Sequence, residues 1–269
     1  ERYQDQPDQP VKSVAQEPAS TFSIDVDTGS YANVRRFLTN GEQPPKDAVR
    51  IEEIVNYFPY NYPLPTDNRP FAVHTETIDS PWQPEAKLIK IGIQAQDTAK
   101  KDLPPANLVF LVDVSGSMGE ENKLPLVQET LRILTRQLRP QDKVTLITYA
   151  SGEDLVLPPT SGADKETILN AIDKLRAGGA TDGESALQMA YEQAQKAFVP
   201  NGINRILLAT DGDFNVGVSD TETLKSMVAE KRKSGVSLST LGFGMGNYNE
   251  DSSTGFSAAT WSIRLEMLM

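Results

Sequence analysis

The chain has no cysteine and only one histidine, His74. The first absence excludes disulfides, a thiolate nucleophile and a zinc ribbon. The second leaves any Ser-His-Asp triad to be built on one ring, and His74 lies in an alternating stretch that reads as a strand, so a structural role is expected for it. Basic residues are also scarce: 26 Lys and Arg face 37 Asp and Glu, for a net charge of −11. Phosphate backbones require a clustered basic surface, so the composition argues against a nucleic-acid partner and disfavours anionic lipid. No apolar run approaches the roughly 18 residues of a membrane span, and no signal-peptide core is present. The chain opens on Glu1 rather than Met, which leads us to expect a processed or partial product.

A length of 269 residues, 38% of them apolar, accommodates one large α/β domain with a smaller companion. Residues 1–20 hold Pro7, Pro10 and Pro18 among Gln, Asp and Glu, and read as a disordered leader. Residues 21–105 form an N-terminal region. Its helices are expected near 30–38, with Tyr31, Val34, Phe37 and Leu38 on one face, and near 48–58, with Ile51, Ile54, Val55 and Phe58 at helical spacing. Alternation over 71–78 and 87–95 predicts a hairpin turning around Ser80-Pro81.

From residue 106 to about 250 strands and helices take turns. Apolar runs at 108–112, 144–149, 203–209 and 236–243 predict core strands, with a short strand at 154–157 after a tight turn through Ser151-Gly152. Helices are expected at 123–138, 165–175 and 184–198, and another is expected to begin at the capping pattern of Ser219 and Glu222. The expected fold class is therefore α/β: a doubly wound, mostly parallel open sheet with helices on both faces, preceded by the helical and hairpin region.

In such sheets ligands collect at the carboxyl ends of the strands. Strand 108–112 is followed by Asp113-Val114-Ser115-Gly116-Ser117, strand 203–209 by Thr210-Asp211-Gly212-Asp213, and Thr181 sits in the glycine-rich loop 178–183. Carboxylates and hydroxyls without imidazole or thiol suit Mg²⁺, Mn²⁺ or Ca²⁺.

VFLVDVSGSM, GGATDG and ILLATDGDFN, in that order, resemble the von Willebrand factor type A domain with a complete metal-ion-dependent adhesion site. The resemblance implies the Rossmann-like fold of that family, with Asp113, Ser115, Ser117, Thr181 and Asp211 as its metal ligands, direct or through water. An acidic residue of a partner protein would complete the coordination. Asp213 has no family role. The stretch STFSIDVDTGSYANVRRFL resembles a bacterial envelope subfamily whose members are commonly lipoproteins with a further C-terminal domain. This implies a bacterial cell-envelope location, although no anchoring Cys is present. The implied activity is divalent-metal-dependent protein binding, as an adhesion or scaffold module without catalysis.

Three motifs weigh less. Asp25-Val26-Asp27-Thr28-Gly29 fails as a calcium loop because Arg36 stands at its twelfth position, and it is one residue away from a phosphohydrolase nucleophile motif. Gly178 and Gly183 have P-loop spacing, but Glu184 stands where lysine is required. The rival readings are a metal-dependent phosphohydrolase using Asp25 or Asp113, and a truncated product without function. Residues 251–269 lack an amphipathic period, and reading 261–269 one base later permits a family-like segment, so a frameshifted tail is expected there. With that ending, strand 236–243 is expected to be an uncovered edge, which invites aggregation, and the 71–95 hairpin to lack a partner.

Overall fold

The structure, a computed structural model, describes residues 11–16, 18, 19, 29–67, 69–180, 183–211, 230, 231, 233–244 and 261–264. The chain divides into two compact units, 58–104 on one side and the remainder on the other. One boundary falls at 104/105, and a second at 57/58 leaves the two N-terminal helices in the unit that holds the large sheet.

Those helices are α1 (Gly29–Thr39) and α2 (Ile51–Tyr57). Their contact joins an aromatic pair, Tyr31 and Tyr57 with ring centroids 4.2 Å apart, to a set of polar bonds. The Ser30 amide donates to Glu53 Oε2 at 2.7 Å, the Ser30 hydroxyl donates to the Ala48 carbonyl, and Arg50 pairs with Glu53 at 3.3 Å. Ser30, Asn33 and Glu53 are buried, Tyr31, Val34, Phe37 and Ile54 are half-buried, and Leu38, Ile51 and Val55 are exposed, so only part of each apolar face expected from helical spacing is covered.

In the smaller unit, β1 (Phe71–Asp79) and β2 (Lys87–Ala95) pair antiparallel from Phe71↔Ala95 to Asp79↔Lys87. Tyr62 stacks on His74 with centroids 5.3 Å apart and lies over Gly92, where a Cβ would come within 2.4 Å of the ring. A His74 ring nitrogen meets the Pro63 carbonyl at 3.0 Å. The lone histidine therefore has the structural role expected of it.

The larger unit is built on β3 (Ala106–Asp113), β4 (Lys143–Tyr149), β5 (Glu153–Ser161), β6 (Ile203–Thr210), β7 (Ser237–Gly242) and β8 (Trp261–Arg264). They lie in the order β5-β4-β3-β6-β7-β8, all parallel except the β4–β5 pair. Strands buried on both faces have no polar side to present, which is why they read as continuous apolar runs. One face packs Val109, Leu111, Ile147, Ile206 and Leu208 against Ala186, Leu187, Ala190 and Tyr191 of α5 (Glu184–Lys196). The opposite face packs Phe110, Val112 and Leu146 against Val127 and Leu131 of α3 (Leu124–Gln137) and Ile168 and Ile172 of α4 (Lys165–Asp173). This is the doubly wound, mostly parallel α/β sheet expected from the sequence.

Two strand expectations are corrected. β5 runs nine residues rather than four, through Pro158 and Pro159, because as an edge strand it has one side on which no amide is required. β7 is not an uncovered edge: Trp261–Arg264 pairs with it in parallel, from Ser239↔Trp261 to Gly242↔Arg264. Trp-Ser-Ile-Arg combines an aromatic and a β-branched residue, composition that favours a strand. The helix expected to begin at Ser219 and residues 25–28 of the Asp25–Gly29 motif lie outside the described residues, as do 251–260 and 265–269.

Candidate metal-binding site

The chain runs outward from β3 to β4 and β5, then returns to the other side of β3 to lay down β6, β7 and β8. Between β3 and β6 the winding direction reverses, and it is at the carboxyl ends of such strands that doubly wound sheets bind ligands. The register sets Val112 opposite Ala209, so Asp113 and Thr210 end their strands at one level and Asp211 follows immediately. Two carboxylates from segments 98 residues apart (211 less 113) are thereby brought to the same rim.

Asp113 is fully buried and Asp211 is 2% exposed. Asp113 Oδ1 accepts the Ser115 amide at 2.8 Å, which closes a turn and carries the chain across the strand end. A short 3₁₀ turn, Gly116–Gly119, follows. It sets the Ser115 and Ser117 hydroxyls 3.1 Å apart. Thr210 Oγ1 lies 3.5 Å from Asp113 Oδ2. Burial raises the Asp113 pKa above the ordinary carboxylate value and the Asp211 charge adds to the effect, while hydrogen bonds from Ser115 oppose it. Tyr149, also fully buried, has its phenol pushed well above its usual range by burial and then by the Asp113 charge, so it stays neutral.

The glycine loop is fastened to the same turn. Gly178 donates to the Val114 carbonyl at 2.7 Å, the Gly179 carbonyl accepts the Gly116 amide at 3.1 Å, and the Ala180 amide donates to Ser151 Oγ at 3.0 Å. Gly179 has φ +90°, and a Cβ there would fall 2.7 Å from Ser151 Oγ, so conformation and space both require glycine. Thr181 and Asp213 lie outside the described residues. The structure thus brings together Asp113, Ser115, Ser117 and Asp211 of the five candidate ligands.

Lys123, one residue before α3, was not expected here. Its side chain is 3% exposed, and its ammonium donates to Asp211 Oδ2 at 3.2 Å and to the Ser117 carbonyl at 3.0 Å, with Glu120 Oε1 at 3.4 Å. Burial works against its charge, but Asp211 and then Glu120 outweigh it and raise its pKa above the ordinary lysine value. A signal was present in the sequence: a lysine at a helix start sits at the wrong end of the helix dipole and so needs another reason to be there.

The donor set fits a hard divalent cation. Two oxygens bound at about 2.1 Å on neighbouring corners of an octahedron lie about 3 Å apart, as the two serine hydroxyls do. The described residues contain no cluster of three or more His, Cys, Asp or Glu, so a site of the zinc type is not formed among them.

The fold is that of a von Willebrand factor type A domain. The family model described as von Willebrand factor matches residues 1–90, and that described as von Willebrand factor type A domain matches 108–213; the chain belongs to this family. It is 52% identical over 256 residues to the uncharacterized protein YfbK of Escherichia coli, an alignment that spans 93% of this chain and 44% of that protein. It is 31% identical over 148 residues to inter-alpha-trypsin inhibitor heavy chain H4 of Homo sapiens, spanning 52% of this chain and 16% of the relative. The chain therefore spans less than half the length of these relatives. Among solved structures, a von Willebrand factor type A protein from Catenulispora acidiphila superposes with TM-score 0.52 at 15% identity, covering 78% of this chain and 48% of that one. The manganese-loaded TRAP protein of Plasmodium vivax superposes with TM-score 0.51 at 17% identity, covering 73% of each chain. Proteins of this family commonly mediate metal-dependent protein interactions.

Proposed function

We propose that this chain is a divalent-metal-dependent protein-binding module, an adhesion or scaffold unit of the bacterial cell envelope. Its metal, Mg²⁺ or else Mn²⁺ or Ca²⁺, is held by Ser115, Ser117, Asp113 and Asp211, with Thr181 as the fifth ligand, and it captures an Asp or Glu side chain of a partner. The observation that carries this reading is the pair of hydroxyls 3.1 Å apart above two buried carboxylates at the switch point of the sheet. When bound, the ion supplies one strong, directional contact to an anionic oxygen. The residues themselves position it: Asp113 fixes the turn through the Ser115 amide, and the glycine loop is secured to that turn at Gly178 and Gly179.

The proposal involves no catalysis. No helix among the described residues is long and apolar enough to cross a membrane. Titration calorimetry with MgCl₂ and MnCl₂ tests the reading. The chain is expected to take up one ion, and Ser115→Ala to lose uptake while keeping the circular dichroism of the fold. Absence of uptake by folded wild type refutes the proposal, as would magnesium-dependent turnover of a phosphate ester that Asp113→Asn abolishes.

A further inference from the structure

We infer that Lys123 is a built-in rival cation of the metal site, one that weakens metal binding and in return leaves the loaded site attractive to an acidic partner. This inference rests on the metal-binding reading above and deepens it.

The placement of Lys123 is expensive in three respects. A buried ammonium forfeits its hydration. It stands just ahead of α3, where the positive end of the helix dipole repels it. Its stem also lies over Gly244, at φ +89°, where a Cβ would come within 2.7 Å of Cε and 2.8 Å of Cγ. What offsets these costs is the site itself. One hydrogen bond goes to the Asp211 carboxylate and one to the carbonyl of Ser117, the residue whose hydroxyl is a candidate ligand. Lys123 thus engages both halves of the site, the turn after β3 and the end of β6.

Charge counting gives the consequence. The buried carboxylates of Asp113 and Asp211 carry two negative charges, and Lys123 leaves the group at minus one. Glu120 is exposed, so its contribution is screened by solvent. A divalent ion then brings the site to plus one, the charge that one partner carboxylate neutralises. Without Lys123 the loaded site is neutral; it holds its metal more tightly but keeps no net attraction for an anion. Removal of Lys123 also leaves two like charges buried together without a counter-ion, a state that metal relieves.

The experiment uses the whole chain, with MgCl₂ alone as the probe. Lys123→Met is expected to bind Mg²⁺ about tenfold or more tightly than wild type, as expected when a nearby like charge is removed. Lys123→Arg, which keeps the charge, is expected to stay within about threefold of wild type. In chelator Lys123→Met is expected to melt lower than wild type and to gain more in excess Mg²⁺, because a ligand at free concentration L stabilises the folded form by RT ln(1 + L/Kd), which grows as Kd falls. Lys123→Gln, neutral but still a donor to the Ser117 carbonyl, serves if the Met variant does not fold. Equal or weaker Mg²⁺ affinity in the neutral variants, with wild type binding normally, overturns the inference and leaves the metal site standing. Absence of Mg²⁺ uptake by wild type and variants alike overturns the underlying metal reading instead.

Discussion

Asp142, in the turn between α3 and β4, is where three parts of the sheet unit are joined by one side chain. Its Oδ1 accepts the Ala106 amide at the head of β3 (2.9 Å) and Arg139 Nη2 (2.8 Å), and its Oδ2 accepts the Arg139 amide (2.7 Å) and Nε (3.1 Å). Asp142→Asn keeps one acceptor oxygen and turns an amide NH₂ towards donors, so at least two of these bonds fail and Arg139 loses its counter-charge. Hydrogen bonds involving a charged group contribute about 1.5–3 kcal/mol each. The Arg139 side chain keeps 16% of its exposure, and water recovers part of the loss. We expect a net cost of about 3 kcal/mol, and at about 2–4 °C per kcal/mol for a domain of this size a fall in melting temperature of roughly 6–12 °C. Far-ultraviolet circular dichroism in urea is the suitable assay, since the two tryptophans fall in different units, Trp82 in the hairpin unit and Trp261 in β8, and their fluorescence mixes the two. The pH dependence adds a second constraint. Burial works to raise the Asp142 pKa, but the hydrogen bonds from Arg139 and Ala106, with the Arg139 charge, outweigh it and hold it below the ordinary value. A carboxylate depressed in the folded state contributes stability that is complete above the unfolded pKa and is lost as pH falls through the folded one. The gap between wild type and Asp142→Asn should therefore stay constant from pH 7 to about 5 and narrow below about pH 4. A gap under about 0.5 kcal/mol at pH 7, the range of ordinary surface changes, would refute the reasoning.

Two further substitutions probe the same core. Tyr191 on α5 is buried, its hydroxyl has no hydrogen-bond partner among the described residues, and burial pushes its pKa up to about 12. Tyr191→Phe is expected to be neutral or to stabilise by up to about 1 kcal/mol, and a loss of more than about 1 kcal/mol in urea unfolding would show the hydroxyl to be satisfied. At Gly162 an added Cβ would lie 2.4 Å from the Arg139 carbonyl oxygen and 2.9 Å from Leu138 Cβ. The obstruction is largely backbone, so Gly162→Ala should cost about 2 kcal/mol or more, and an unchanged melting temperature would mean that the turn after β5 yields freely.

What could be read from the sequence follows from where the information is local. Strand 108–112 was legible because burial on both faces leaves a continuous apolar run, and the hairpin because alternation of period two has few other causes. Asp113, Ser115, Ser117 and Asp211 were legible as a site because their order along α/β elements locates them at strand ends. Helical spacing in α1 and α2 says which residues share a face, not whether anything covers it, and here Ile51 and Val55 are exposed while Ser30 and Glu53 are buried. The prolines of β5 hid an edge strand whose tolerance for them depends on its place in the sheet. Lys123 was missed for a similar reason. Its buried ion-pair partner Asp211 is 88 residues away, and apart from its place at a helix start nothing near it, exposed Glu120 included, marks it as buried.

The electrostatics of the rim bear on why this arrangement exists at all. Replacing a buried ion pair with well-packed apolar residues is often neutral or stabilising by about 1–4 kcal/mol. A fold seeking only stability therefore has no use for Asp113, Asp211 and Lys123 together, each less than a twentieth exposed, at the carboxyl end of its central strands. The core on both sides of the sheet is apolar and complete without them. Nor do they cap a helix usefully, since the lysine has the wrong sign for the start of α3. The carboxyl ends of β3 and β6 are also where a doubly wound sheet offers a ligand its approach, so the cost falls where a ligand can recover it. The separation of roles follows: β3 and β6 hold the carboxylates at a fixed level through the Val112↔Ala209 register, and the turn at 115–119 supplies hydroxyls. Lys123 sets how strongly the assembly prefers an added cation to the one it already has.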